Sequence, residues 1–311
     1  MWPLQPPASS AEEARKVRYG TTVSAAHLPM WVAKEAGLFA KQGLFVEPIH
    51  IRGGALITMA IMSGSLQFSG AGAESVITAR IKGADVVLLA CPVNIEPVYL
   101  VARPEISSPA LLKGKPAGVT RLGSSTHFFL RAALQRVGLD PEKDVTILQL
   151  GAGSDIAAAI ENGTVAAFAL PVSYALPFMQ RGWPVLMDLT KTDLVYPSSC
   201  VTSSRRFLEQ DPGLVGSFLK GYVAGIDLIK KDRAFVEQVF GKVYKQNDSF
   251  VVKKTVEAFA RIFKPAPFVP DKGIETVLKD LSTRSPVPKE FLGHPELFRD
   301  NGPLERALGE R

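Results

Sequence analysis

One stretch of this chain is written twice. It reads SGSLQFSGAGAESVITARIKGADVV from Ser63 to Val87, and 99 positions later it reads NGTVAAFALPVSYALPFMQRGWPVL from Asn162 to Leu186. Without any gap, Gly64 falls on Gly163, Gly83 on Gly182 and Val86 on Val185. Identities are few, but the grammar is shared: a glycine stop, a short apolar run, a helix-like run, a second glycine, another apolar run. A chain that passes twice through one order of elements is expected to build two lobes of the same kind.

The wider pattern agrees. Strand-like runs at 17–23, 45–51, 66–71, 85–92 and 97–104 alternate with helix-like runs at 28–43, 55–64 and 74–83. The second pass has strands at 116–121, 145–150, 166–171 and 184–189. Between them come helices at 125–138 and 154–163, and one at 172–182 interrupted by Pro177. Strands alternating with helices of this length predict a mostly parallel sheet covered on both faces. After Cys200 the texture becomes helical, with Asp211-Pro212 as a turn opening a long amphipathic helix. That tail lacks the strands of a third lobe and is expected to pack back on an existing one.

Bulk properties exclude several classes. A length of 311 residues suits about two domains, and no apolar run approaches the roughly 20 residues of a membrane span. The formal charge of +6 is spread over scattered pairs such as Lys230–Lys231 and Lys253–Lys254, without interleaved aromatics, so no nucleic-acid partner is expected. Residues 1–16 are rich in Pro, Ser and Ala and have no apolar signal core; they read as a disordered stub or an expression-derived start. The two cysteines, Cys91 and Cys200, have no metal-ligand spacing. They read first as buried small apolar residues, and alternatively as a disulfide in an oxidising compartment.

In open parallel sheets a ligand sits beyond the C-terminal ends of the strands, where helix starts present unpaired N–H groups and a partial positive charge. The loops SAAHLP (24–29), RGG (52–54), SGAGAES (69–75) and LGSSTH (122–127) occupy such places. Glycines there permit close backbone approach, and Ser124, Ser125 and Thr126 supply hydroxyls that either cap their own helix or meet a ligand. His27 and His127 fall in the same loops as possible contacts. Glu74 either complements the dipole of its helix or, turned into a cleft, would favour an amine over an anion. Tyr174 is the best-placed aromatic wall. Catalytic signatures are missing: there is no Gly-x-Ser-x-Gly, His-Glu-x-x-His, Cys-x-x-Cys or phosphate-loop lysine, and GAGSD (151–155) lacks the third glycine of a dinucleotide loop.

The stretch P-x-W-V-A-K-E-A-G-L-F-x-K-x-G-L-x-V-E from Pro29, the Gly53–Gly54 pair, A-x-x-x-G-x-L-x-F from Ala60, and LKGKPAGVTRLGSSTHFFLRAAL from Leu112 together resemble the nitrate/sulfonate/taurine substrate-binding family of ABC transporters, grouped with a thiamine-pyrimidine-synthesis-like domain. The likeness spans about residues 17–240. It implies an α/β fold of the type II periplasmic binding protein kind: two α/β lobes joined by two crossing strands, PVYLVARP and SSCVTSS, with C-terminal helices packed on lobe one. It places lobe one at 17–103 plus 200–311 and lobe two at 104–199. Ligand contacts implied by the matching loops are Ser24, His27, Gly53, Gly72, Glu74, Ser124, Ser125, Thr126 and Tyr174; His127 joins them from its loop position alone.

The resulting expectation is a monomeric, extracytoplasmic solute receptor, not an enzyme, with no cofactor or metal. It would bind a small organic anion or zwitterion and partner an ABC permease in the membrane. The alternative is a thiamine-pyrimidine precursor binding or synthesis protein of the same fold. The resemblance leaves Glu74 as the residue least suited to a nitrate or sulfonate site.

Overall fold

The computed structural model describes residues 14–309. Most of the expected N-terminal stub lies outside them, but Arg15 and Lys16, assigned to it above, instead open the first strand, β1 (Arg15–Thr21). The first sheet also contains β2 (Leu44–His50), β3 (Phe68–Ala71), β4 (Val87–Ala90) and β10 (Cys200–Ser203), in the order β2-β1-β3-β10-β4. The second contains β5 (Val98–Ala102), β6 (Lys115–Val119), β7 (Val145–Gln149), β8 (Ala167–Pro171) and β9 (Val185–Asp188), in the order β7-β6-β8-β5-β9. The two orders are the same plan. Three parallel strands are followed by one antiparallel strand borrowed across the molecular waist, then an edge strand.

That borrowing moves a boundary. Val98–Ala102 was placed in lobe one, yet its strand pairs with β8 and β9 in the second sheet. The chain has therefore already crossed by Val98, and it returns before Cys200. The two crossings meet antiparallel, with Val93 bridged to Ser198 and the Tyr196 N–H bonded to the Asn94 carbonyl. At the lobe-one end of this ladder Cys91 and Cys200 form a disulfide, which replaces the reading of two independent apolar cysteines. Adjacent antiparallel strands bring Cβ atoms within bonding reach; the spacing of 109 residues in sequence carries no hint of it.

Between the strands of the first sheet run α1 (Leu28–Glu35), α2 (Gly54–Met62) and α3 (Ala73–Ile81). Between those of the second run α4 (Ser125–Arg136), α5 (Gly153–Glu161) and α6 (Val172–Gln180). The run 28–43 is one helix by periodicity but two pieces in space. Gly37 takes φ +68°, the Leu38 N–H reaches back to the Ala33 carbonyl, and a short 3-10 turn follows at Ala40–Gln42. A left-handed glycine closing a 6→1 bond is a helix stop that outweighs the continuing apolar pattern. In contrast, Pro177 sits inside α6 without ending it.

The duplicated stretch superimposes element on element. β3 and α3 in the first copy correspond to β8 and α6 in the second, and the flanking pairs Gly64/Gly163 and Gly83/Gly182 all have positive φ. The C-terminal helices α8 (Pro212–Lys231), α9 (Arg233–Tyr244), α10 (Ser249–Ile262), α11 (Asp271–Ser282) and α12 (Gly302–Gly309), preceded by the short α7 (Arg205–Gln210), cover mainly lobe one. The anchor is an aromatic stack: Phe218 of α8 lies 4.1 Å from Phe68, 5.1 Å from Phe39 and 5.9 Å from Tyr19, measured between ring centres. Each such pair contributes about 0.5–1.5 kcal/mol beyond its buried area. Two elements also reach the other lobe, since α10 packs on α6 and Asp280 of α11 pairs with Arg131 of α4.

Candidate functional site

Both sheets point the C-terminal ends of their parallel strands at a common cleft. Lobe one contributes Thr22, Ser24, His50, Arg52, Gly53, Gly54, Gly70 and Gly72. Lobe two contributes Thr120, Ser124, Ser125, Thr126, Phe129, Gly153, Leu170, Pro171 and Tyr174, and the crossing segments add Glu96, Ser198 and Ser199.

Five helices begin at this cleft, and their first-turn N–H groups divide into two kinds. The starts of α3 and α6 are closed off by the crossings. The Ala73 N–H donates to the Pro197 carbonyl, the Glu74 N–H to the Tyr196 hydroxyl, and the Val172 N–H to the Pro97 carbonyl. The starts of α2, α4 and α5 are not. Among the described residues, no side chain caps α2 or α4, and the N–H groups of Gly54–Leu56, Ser125–His127 and Gly153–Ser154 have no acceptor. Ser124 holds the N-cap position of α4 but turns its hydroxyl to the Arg121 carbonyl at 2.7 Å instead of capping. Two uncapped helix starts, α2 and α4, and the free Gly153 and Ser154 N–H groups of α5, whose Asp155 carboxylate accepts among backbone groups only the Ala152 N–H, give the cleft a set of donors suited to an anion.

The side chains behind this wall are fixed. Thr120, Ser124 and Thr126 bond one another through their hydroxyls at 2.8–3.1 Å. The Tyr196 hydroxyl donates to Ser125 at 3.0 Å. Two contacts cross the cleft mouth: the Tyr174 hydroxyl donates to the Val23 carbonyl, and Arg52 Nη1 lies 3.3 Å from Asp155 Oδ2. Burial, with Asp155 nearby, pushes the Tyr174 hydroxyl up to about 12, so it stays a donor. Ser199 adopts φ +52°, one of two non-glycine residues in that region among those described, and such strain is held only where the surroundings over-determine it.

The residues expected from sequence are thereby sorted. Ser24, Gly53, Gly72, Ser124, Ser125, Thr126 and Tyr174 share the cleft lining. His27 does not: its ring is buried beneath the loop, Nε2 lies 3.0 Å from the Thr22 hydroxyl, and burial, aided by His50, pulls its pKa down to about 3. Gly70 makes room for it, since a Cβ there would lie 2.3 Å from the imidazole. His127 also turns away, its Nδ1 accepting from the Gly123 N–H at 3.2 Å. Glu74 is completely buried outside the cleft, 2.8 Å from Arg284 and 3.7 Å from His127. It neither repels an anion nor attracts an amine, and the objection it raised to an anionic ligand falls away.

Sequence reasoning missed Glu96 in the crossing segment NIEP. The Ser198 hydroxyl donates to one of its carboxyl oxygens, the residue is 5% exposed, and burial raises its pKa to about 7. A lone acidic residue between two apolar strands was the available signal.

Two like lobes hinged by a crossed pair of strands, with donors converging between them, define the class of two-lobed α/β binding proteins. The chain belongs to the NMT1/THI5-like family, which it matches over residues 24–233. It is similar to YtlA of Bacillus subtilis (strain 168), 21% identical over 278 residues, 87% of this chain and 83% of that one. Among solved structures it resembles the alkanesulfonate-binding protein SsuA from Xanthomonas axonopodis pv. citri bound to MOPS. Identity there is 23%, with a TM-score of 0.75, covering 92% of this chain and 98% of the other. It also resembles the periplasmic nitrate-binding protein NrtA from Synechocystis PCC 6803, at 13% identity and TM-score 0.80, covering 96% and 89%.

Proposed function

We propose that this protein is the solute receptor of an ABC importer, closing its two lobes on a small organic anion and presenting it to a membrane permease. The observation that carries this reading is the set of unpaired first-turn N–H groups at the starts of α2, α4 and α5, one helix from lobe one and two from lobe two, converging on one cleft. A ligand bridging both lobes favours the closed arrangement by its differential affinity for it. The similar proteins whose names specify sulfonate or nitrate support an oxyanion, and the disulfide between the crossings supports an extracytoplasmic, oxidising setting. No described helix is long and apolar enough to cross a membrane, in keeping with a receptor separate from its permease. A non-catalytic, monomeric receptor is the simplest form of this proposal, and it takes Ser24, Gly53, Gly72, Ser124, Ser125, Thr126 and Tyr174 as ligand contacts.

Pyrimidine-precursor synthesis is the weaker reading. It would call on a reactive histidine, and both loop histidines are already committed to the protein's own hydrogen bonds. The deciding experiment is a thermal-shift and calorimetric screen of the purified, ligand-stripped chain against alkanesulfonates, nitrate, sulfate and carboxylates. Micromolar or tighter binding of at least one oxyanion is expected, and no response across the panel would end the proposal.

A further inference from the structure

Away from the cleft lining, the two lobes meet a second time through buried charge. Arg131 on α4 is the largest of the fully buried side chains, its guanidinium arm only 2% exposed. Nη1 donates to Glu142 in the same lobe. The other side of the fork faces α11, which packs on α3 of lobe one: Nε lies 3.5 Å from Asp280 Oδ1, and Nη2 donates to the Thr283 hydroxyl at 3.5 Å. Asp280 also holds Arg284 at 2.9 Å, and Arg284 reaches Glu74 of α3 at 2.8 Å. His127 of α4 stands 3.7 Å from the same Glu74 and extends the seam.

The charges divide unevenly between the lobes. Lobe one brings two carboxylates, Glu74 and Asp280, to a single guanidinium, Arg284. Lobe two brings Arg131, whose own carboxylate, Glu142, is 61% exposed and answers a buried cation weakly through solvent. The nearly buried carboxylate within reach of Arg131 is therefore on the opposite lobe. Parting the lobes would leave Asp280 with Arg284 and Arg131 with Glu142, so neither half strands a bare charge. Closing them adds an attraction between a surplus anion on one side and a cation on the other.

The helix that carries Arg131 is also the one whose start lines the cleft at Ser125 and Thr126. Between those two points Phe128 and Phe129 pack on Tyr196 of the returning crossing, with ring centres 4.3 and 4.8 Å away. α4 thus offers ligand donors at one end, rests on the crossing, and is gripped by the other lobe further along. The structure shows this grip with the lobes closed on one another, as the Tyr174–Val23 and Arg52–Asp155 contacts attest.

We infer that Arg131 is a positioning residue for lobe closure: its cross-lobe pairing with Asp280 and Thr283 sets the fraction of closed molecules before any ligand arrives, and so tunes affinity without touching the ligand. A receptor whose binding-competent state is less populated binds more weakly in proportion. The effect on affinity rests on the receptor reading above; the effect on shape does not.

Small-angle X-ray scattering of the intact, ligand-free chain reads the shape, and titration calorimetry with nitrate and with ethanesulfonate reads affinity. Arg131→Met keeps a long apolar stem and leaves Asp280 its Arg284. It should enlarge the ligand-free radius of gyration and weaken whichever probe binds by about tenfold. Asp280→Asn should act in the same direction, and in the double variant the two losses should not add, because both break one contact. Arg131→Lys, which retains the charge, should recover part of each loss. Glu142→Gln removes the partner within lobe two and should neither enlarge the radius nor weaken binding. Should Arg131→Met fail to fold, Asp280→Asn carries the test alone, since it leaves Arg131 with Glu142 and Arg284 with Glu74. Variants that lose stability while keeping wild-type radius and affinity overturn the inference, as do additive losses or a Glu142→Gln as weak as Asp280→Asn. If neither probe binds the wild type yet the Arg131→Met radius still grows, the clasp stands and the receptor reading is what suffers.

Discussion

The starts of α3 and α6, 99 residues apart in sequence, are built alike and used differently. In each, the first N–H is taken by a proline carbonyl of a crossing segment, Pro197 for α3 and Pro97 for α6. This is the part of the repeat that has kept its meaning, because both lobes must attach to the same hinge. The side chains have diverged. Gly72 stands where the other copy has Pro171, and Glu74 where it has Ser173. A Cβ on Gly72 would lie 1.8 Å from the Ser125 hydroxyl of the opposite lobe, and Glu74 ties α3 to Arg284 in the C-terminal extension that only lobe one carries closely. The two copies share what a lobe needs to hang on the crossings and differ in what each needs to meet the other.

The sharpest way to break this comparison is to remove both members of the pair. Glu74→Ala takes a fully buried carboxyl away from Arg284, which keeps Asp280 at 2.9 Å, and should cost about 1–3 kcal/mol of stability, read by chemical denaturation, whereas Ser173→Ala should cost little. Equal effects would mean that α3 is no more committed to the interior than α6.

A comparison by pH is as sharp, since a lobe-one loop and the hinge should behave oppositely. His27 has a folded pKa near 3 against an ordinary 6.5, so the unfolded chain binds its proton first. Its contribution is present above pH 6.5 and lost as pH falls toward 3, on the order of 5 kcal/mol over the whole window. Glu96 has a folded pKa near 7 against an ordinary 4.5, so the folded chain holds its proton longer. Its contribution is present below pH 4.5 and lost as pH rises to 7, on the order of 3 kcal/mol. His27→Gln should therefore flatten acid destabilisation, and Glu96→Gln should raise stability above pH 7. Denaturation midpoints measured from pH 4 to 8 would show slopes changed in opposite directions.

Closure should depend on the glycine copy more than on the proline copy. Gly72→Val is expected to weaken ligand binding by about a hundredfold, equivalent to ~2.7 kcal/mol, while Pro171→Ala changes it less than threefold; calorimetry with any oxyanion found to bind decides. Smallest of all, Tyr174→Phe removes one hydrogen bond across the mouth and should cost about 1 kcal/mol of closure, near fivefold in affinity. Arg52→Ala, which removes a mostly exposed ion pair, should cost less still.

Local physics made much of this protein legible before any coordinates. Each strand and helix named from residue 17 to residue 189 has its counterpart, although the run 28–43 keeps its α-helix only over Leu28–Glu35, because apolar periodicity and left-handed glycines act over a few residues. The repeat made two similar lobes legible for the same reason, and the hydroxyl-rich start of α4 marked one wall of the cleft. What could not be read was set by pairing across distance. Val98–Ala102 looks like the end of lobe one in sequence, yet its hydrogen bonds go to β8 and β9.

The same holds for the site. Ser24 and Ser125 belong to loops that any α/β sheet would turn toward a ligand, and the alternation of elements was enough to nominate them. Whether a given side chain then enters the cleft was decided by room and partners elsewhere in the chain. Gly70 lets His27 fold inward, Arg284 draws Glu74 away from the cavity, and the antiparallel meeting of two crossings joins Cys91 to Cys200 and leaves Glu96 facing the ligand space. Sequence sets backbone preferences because these act residue by residue; burial and charge pairing are properties of neighbours tens to about two hundred positions apart, and only the assembled molecule supplies those neighbours.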